Sequence, residues 1–207
     1  MYNILIVDDQ ESSRKFIQYG LMGNAQYKVV GALADATETE SFCRNHKVDL
    51  ILMDIQTDGK ETGLQSAKKV KAYDKRIKII IVTFFVEQEL INIAKKIGCE
   101  GFWYKDHSTT SISDVIDKVI DGEIIYPGEL PVIMIGYAKS SDFTKQELAV
   151  LKLLVNGASR HTIGEKLDIK QNTVDYHIKN LKSKTGYESL LKLAVDVSSK
   201  KFMIADE

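Results

Sequence analysis

Four short apolar runs in the first half of the chain each stop on a side chain capable of chemistry. Asn3-Ile4-Leu5-Ile6-Val7 stops on Asp8-Asp9, and Asp49-Leu50-Ile51-Leu52-Met53 stops on Asp54. Lys78-Ile79-Ile80-Ile81-Val82 stops on Thr83, and Phe102-Trp103-Tyr104 stops on Lys105. Short runs rich in β-branched and aromatic residues read as strands. With a further run at 27–32, the strands are expected at 3–7, 27–32, 49–53, 78–82 and 101–104. Amphipathic stretches separate them: 87–97 carries Leu90, Ile91, Ala94 and Ile97 on one face. A last stripe of Ile112, Val115, Ile116, Val119 and Ile120 follows the fifth strand. Strands alternating with helices through short connections form right-handed βαβ units and a parallel sheet covered on both faces. The expectation for residues 1–121 is an α/β, flavodoxin-like (βα)₅ domain with a parallel five-stranded sheet.

In such a sheet, ligands bind in the crevice at the carboxyl ends of the strands. The four strand ends would gather three acids, a hydroxyl and an ammonium. Three carboxylates at one place repel unless a cation neutralises them, and an all-oxygen hard donor set suits Mg²⁺. The hydroxyl and ammonium would then serve an anion, most readily a phosphoryl group. A plainer reading makes Asp8-Asp9 a helix cap near Ser12 and Ser13, Thr83 an ordinary strand residue and Lys105 a solvated lysine. The coincidence of all four strand ends favours the site.

The segment 122–141 breaks the alternation. It holds both prolines, Pro127 and Pro131, and an apolar patch, Val132-Ile133-Met134-Ile135. It reads as a linker whose patch packs on a domain or a partner, or forms a short strand. From Thr144 onward the pattern is helical. Thr144-Lys-Gln-Glu147 fits a capping box flanked by Phe143 and Leu148 as a hydrophobic staple, and Gly157 suits the position after the helix end. A second helix starts near Ser159. A third starts near Lys170 and buries Val174, Ile178 and Leu181; a fourth starts near Glu188. This all-α four-helix unit, 142–207, has the form of a helix-turn-helix for DNA. Charge agrees in sign: residues 1–141 carry 17 basic and 20 acidic side chains, whereas 142–207 carry 11 and 9. No apolar stretch approaches the roughly 20 residues needed to span a bilayer, so no membrane partner is expected. The absence of an export signal, with Cys43 and Cys99 lacking metal spacing, fits a cytoplasmic setting.

Both halves together resemble the two-component response regulators of the NarL/LuxR type, a receiver domain joined to a LuxR-type helix-turn-helix. The receiver markers are Asp8-Asp9, Asp54, Thr83 and Lys105. The effector markers are Phe143 through Ser159 and Asn172-Thr173-Val174-Asp175-Tyr176-His177-Ile178. The resemblance covers nearly the whole chain. It implies that Asp54 accepts a phosphoryl group from a sensor histidine kinase, with no further enzyme activity. It implies that Asp9, Asp54 and the backbone carbonyl of Gln56 bind Mg²⁺, with Asp8 helping through a water. By the same resemblance Lys105 and Thr83 hold phosphoryl oxygens, and Phe102 is the switch aromatic that reports Thr83's movement. The phosphorylated protein would dimerise and bind double-stranded DNA at two half-sites. Three departures bear on this. Thr57-Asp58 stands where the family usually has Met-Pro, Phe84 replaces a small residue after Thr83, and Asp106 follows Lys105.

A helical wheel of the third effector helix puts Asn172, Tyr176, Lys179, Asn180 and Ser183 opposite the buried stripe. Their amides, phenol and ammonium suit groove contact, with Thr173 adding a hydroxyl and Lys170, Lys182 and Lys184 reaching phosphates. Asp175 would accept from a cytosine or, as the favoured expectation, pair with Lys179 at i,i+4. Two rivals are a haloacid dehalogenase-like phosphohydrolase, which needs an acid where Gln56 stands, and a DNA-binding protein with a phosphorylation-independent receiver. Dinucleotide binding lacks the glycine-rich loop after the first strand.

Overall fold

The computed structural model describes residues 1–203, and the fold is built on strands that are apolar on both faces. β1 (Tyr2–Val7), β2 (Tyr27–Leu33), β3 (Leu50–Met53), β4 (Lys78–Thr83) and β5 (Gly101–Tyr104) pair in parallel in the order β2-β1-β3-β4-β5. Ile4–Val7 and Leu50–Met53 are almost wholly buried. That is the pattern of a parallel sheet covered by helices on both sides. One face carries Ile4, Ile6, Leu50, Leu52, Ile80, Val82 and Trp103. It packs against Ile17 and Leu21 of α1 (Glu11–Leu21) and Val115, Ile116 and Val119 of α5 (Ile112–Ile120). The opposite face is served by α2 (Thr39–Asn45), α3 (Gly63–Tyr73) and α4 (Gln88–Ile97). The chain leaves β1 towards β2 and returns to lay β3 on β1's other edge, so the ends of β1 and β3 flank the point where strand order reverses.

The loop after β3 is fastened rather than loose. Thr57 Oγ1 accepts from Ala36 N at 3.2 Å, and Asp58 N donates to Ala34 O at 3.1 Å. The loop ends where Gly63 N donates to Ile55 O at 2.8 Å. A Cβ on Gly63 would lie 1.7 Å from the Asp54 carbonyl oxygen, so only glycine lets α3 start this close to the end of β3.

The segment expected as a linker begins by extending the sheet edge. Phe102 N donates to Ile125 O and Ile125 N to Glu100 O, and Tyr126 packs on Phe102 with ring centroids 6.3 Å apart. Beyond it, Met134–Ile135 (β6) pairs antiparallel with Ala138–Lys139 (β7), the short-strand alternative for the apolar patch. The chain divides into two compact units near Glu129 and Leu130.

The second unit holds α6 (Lys145–Val155), α7 (Arg160–Leu167), α8 (Gln171–Thr185) and α9 (Leu190–Ser199). The expected capping box is present: Thr144 Oγ1 accepts from Glu147 N, and Glu147 Oε2 from Thr144 N. Gly157 takes φ +74 just past α6, the left-handed conformation that favours glycine there. α8 buries Val174, Ile178, Leu181 and Thr185 along one stripe. Gly63→Ala is expected to destabilise the protein by about 1–3 kcal/mol. Urea unfolding monitored at Trp103 measures it, and a stability equal to wild type would contradict the tight approach.

Candidate functional site

β1 and β3 deliver their carboxylates to one place. Asp8 and Asp54 are buried, Asp9 is half-buried, and one oxygen from each lies within 4.8 Å of the others. Lys105, from the end of β5, closes the group. Its Nζ lies 2.6 Å from Asp8 Oδ2 and 2.8 Å from Asp54 Oδ2. Asp54 Oδ1 also accepts from Ile55 N at 2.7 Å. Thr83 ends the neighbouring strand β4, fully buried and in register with Tyr104. Gln56 is exposed in the following loop.

Burial pushes the Asp54 carboxyl up to about 6; Lys105 and the Ile55 N–H pull it back, and Asp8 adds to the rise. Asp9 is raised for the same first reason, burial, with Asp8 and Asp58 reinforcing it. An ammonium shared by two carboxylates therefore leaves the cluster short of positive charge. Three convergent oxygen donors with uncompensated negative charge fit a hard divalent cation such as Mg²⁺.

Local structure orients these acids in ways not visible in the strand pattern. Asp8 accepts from Gln10 N at 3.0 Å and from the Ser13 hydroxyl. The Arg14 guanidinium donates to the Asp8 carbonyl at 2.5 Å and the Asp9 carbonyl at 2.9 Å. Asp8 does not cap α1 as in the plainer reading, since the N-cap is Gln10 with no side-chain cap bond; its carboxylate turns the chain through Gln10 N while facing Lys105. The one available signal was spacing, since Ser13 and Arg14 follow the acids by about a helical turn. Phe84 is placed beside the site as its sequence position suggests: Lys105 Nζ sits 4.7 Å from the centre of its ring. A cavity of about 400 Å³ opens next to Lys105, lined in part by Ser13, Phe16, Ile17, Phe84 and Trp103. Phe102 is buried and touches Tyr104 edge-on, with ring centroids 5.2 Å apart.

In the second unit, Asn172, Asp175, Tyr176 and Lys179 are exposed on α8, while Thr173, Asn180 and Lys182 are half-buried. Lys170 is the exposed residue before the helix. Two expectations need correction. Asp175 does not pair with Lys179: its ion pair is with Arg160 of α7, Nε to Oδ1 at 2.9 Å. Lys184 has protein partners where a phosphate contact was expected, at 2.6 Å from Glu147 Oε2 and 2.9 Å from the Asp142 carbonyl. Tertiary contacts, unseen in a helical wheel, chose both partners.

Residues 4–117 match the response regulator receiver domain, more than half of the chain. The chain is a response regulator. Residues 141–197 match the luxR family of bacterial regulatory proteins. The response regulator is 31% identical over 178 residues to the transcriptional regulatory protein DesR of Bacillus subtilis, covering 86% of this chain and 87% of DesR. It is 30% identical over 186 residues to the response regulator protein VraR of Staphylococcus aureus, covering 87% and 88%. Among solved structures, RcsB of Salmonella enterica bound to a promoter with a phosphomimetic superposes at TM-score 0.62 and 20% identity. That likeness covers 96% of this chain and 98% of RcsB, and it shows a shared fold. This response regulator is therefore a receiver joined to a LuxR-type DNA-binding domain, a transcription regulator of the two-component type. Among the described residues no helix is long and apolar enough to cross a membrane.

The raised Asp54 carboxyl has a thermodynamic consequence with a definite sign. A carboxyl near 6 when folded and near its ordinary 3.8 when unfolded binds its proton more tightly in the folded state. Stability is then lost as pH rises from about 4 to 6, by up to about 3 kcal/mol. Asp54→Asn is expected to raise the melting temperature at pH 7.5 and to flatten stability across pH 4–6. Thermal unfolding of both proteins over that range checks it; a variant less stable at pH 7.5 would contradict the uncompensated burial.

Proposed function

We propose that this response regulator is switched by phosphorylation of Asp54 and then binds promoter DNA as a dimer. The observation that carries the proposal is a buried carboxylate at the end of the central strand, 2.8 Å from a buried ammonium and beside two further acids. In the transfer, an Asp54 oxygen forms a bond to phosphorus as the P–N bond of a sensor kinase's phosphohistidine breaks, and the imidazole leaves and takes up a proton. Asp54 must be ionised to attack, so its raised carboxyl slows transfer as pH falls below about 6. Positioning and electrostatic stabilisation do the rest. Lys105 holds one phosphoryl oxygen in place of its present carboxylate partners, and the Thr83 hydroxyl holds another. Arg14 and Ser13 keep the Asp8-Asp9 turn in place. Asp8, Asp9, Asp54 and the Gln56 carbonyl would hold Mg²⁺, which when bound offsets the charge of the incoming phosphoryl group.

The working division is a receiver over 1–121, a linker over 122–141 and an effector over 142–207. The exposed face of α8 meets the major groove through Asn172, Tyr176 and Lys179, with Asn180 at its margin. Lys170, Thr173 and Lys182 serve phosphates. Tyr176 is 61% exposed, more than a phenol needs for packing and enough to meet a groove. RcsB has been solved as dimers on DNA, and this chain shares its fold. A two-fold dimer would match half-sites about one helical turn apart. Dimerisation adds contact without changing the helix that reads bases. Acting on DNA places the protein in the cytoplasm.

Incubation with acetyl phosphate and Mg²⁺ is expected to add one phosphoryl mass to the wild type and none to Asp54→Ala. Equal labelling of the two would refute the acceptor. Beryllofluoride is expected to move wild type from monomer towards dimer in sedimentation, while an unchanged distribution would favour a phosphorylation-independent receiver. Lys179→Ala is expected to weaken DNA binding by about 1–3 kcal/mol. Lys28→Ala, which removes an equal charge from the exposed side of β2, should change it little. Equal losses at matched salt would overturn the groove placement.

A further inference from the structure

Asp175 is the sole acid of α8, and it stands exposed on the helix that the proposed function sets against DNA. A bare carboxylate there opposes the phosphate backbone. It is not bare. Arg160, the first residue of α7, places Nε 2.9 Å from Asp175 Oδ1, bridging the two helices of the motif. The side chains are 52% and 50% exposed. An ion pair so open to water adds little stability. The two helices pack together in any case, with Ile163 and Val174 fully buried. A stitch between helices is thus a poor account of the pair.

What the pair does change is the chemistry of that face. The guanidinium offsets the charge and lies against one carboxylate oxygen. The carboxylate is half exposed, so an acceptor-only group stands on the same helix as Asn172, Tyr176 and Lys179. In the major groove a carboxylate accepts from the cytosine N4 amino group, whereas adenine sets an acceptor, N7, beside its donor. Guanine and thymine offer only acceptors there, along with the thymine methyl. We infer that Asp175, its charge offset by Arg160, reads a cytosine in each half-site, which makes the pair a specificity determinant. This inference rests on the DNA-binding reading above.

Selection from randomised duplexes with the full-length, beryllofluoride-treated protein tests it. The wild type is expected to enrich half-sites with one fixed C·G pair, and Asp175→Ala to relax that position alone. Asp175→Asn should shift the same position towards A·T, because an amide pairs with adenine N6 and N7. Replacing the C·G pair by T·A should weaken wild-type binding roughly tenfold and leave Asp175→Ala within about twofold. Arg160→Gln should weaken binding to every sequence, and adding Asp175→Asn should recover part of the loss. The same motif from wild type and Asp175→Ala, or a uniform change in affinity at every position, would overturn the cytosine reading while leaving DNA binding intact. A wild type that enriches no sequence would overturn both readings.

Discussion

The chain's organisation follows from one electrostatic demand, the burial of two aspartates against a single lysine. Asp8, Asp54 and Lys105 come from three different strands and can meet only if β1, β3 and β5 all end at the same rim of the sheet. A parallel sheet supplies that alignment, and its cost is that the central strands must be apolar on both faces. The runs Ile4–Val7 and Leu50–Met53 meet it. A lone ammonium between two buried carboxylates recovers only part of their lost hydration, and the rise of Asp54 to about 6 is the residue of that imbalance. The site is stable enough to persist and short enough of positive charge to attract more.

The parts of the molecule legible in the sequence were those governed by local periodicity. The five strands, the α5 stripe, the Thr144–Glu147 capping box and the buried line Val174, Ile178 and Leu181 each repeat at the spacing of their element. Parallel topology then carried Asp8, Asp9, Asp54 and Lys105 to a common rim without further information. What escaped was the choice among partners at similar distance. Asp175 could reach Lys179 one turn along α8 or Arg160 across the turn between helices, and periodicity sees only the first. Lys184 lies on a basic helix end, yet a buried Glu147 on α6 competes for it with solvent. Arg14 bonds to backbone carbonyls, groups that every residue has and that no sequence pattern marks.

Two departures from the family pattern acquire physical accounts. Thr57 and Asp58 replace the usual residues after the acceptor, and they tie the loop to Ala34 and Ala36. The loop is held at both flanks. Phe84 presents its ring to the Lys105 ammonium at 4.7 Å, a cation–π contact that gains strength where water is excluded. The residue that crowds the site therefore also helps to fix the Lys105 ammonium.

Under the proposed switch, communication out of the site would run through packed side chains, because Asp54 is far in sequence from α8 and a ligand shifts an equilibrium only by its differential contacts. Phe102 is the candidate relay. Its ring is buried, meets Tyr104 edge-on and is covered by Tyr126, while its backbone N–H is bonded to Ile125. Ile125 and Tyr126 belong to the stretch that leads from the receiver towards the effector in sequence. Close-packed interiors respond to a displaced ring by discrete repacking rather than by gradual yielding. Tyr126 lies beside the Phe102 ring and is itself tethered by a hydrogen bond from its phenol to the Cys99 carbonyl at 2.8 Å. Under the proposed switch, the start of the segment after β5 is bonded to the strand that carries Phe102 and would feel its movement.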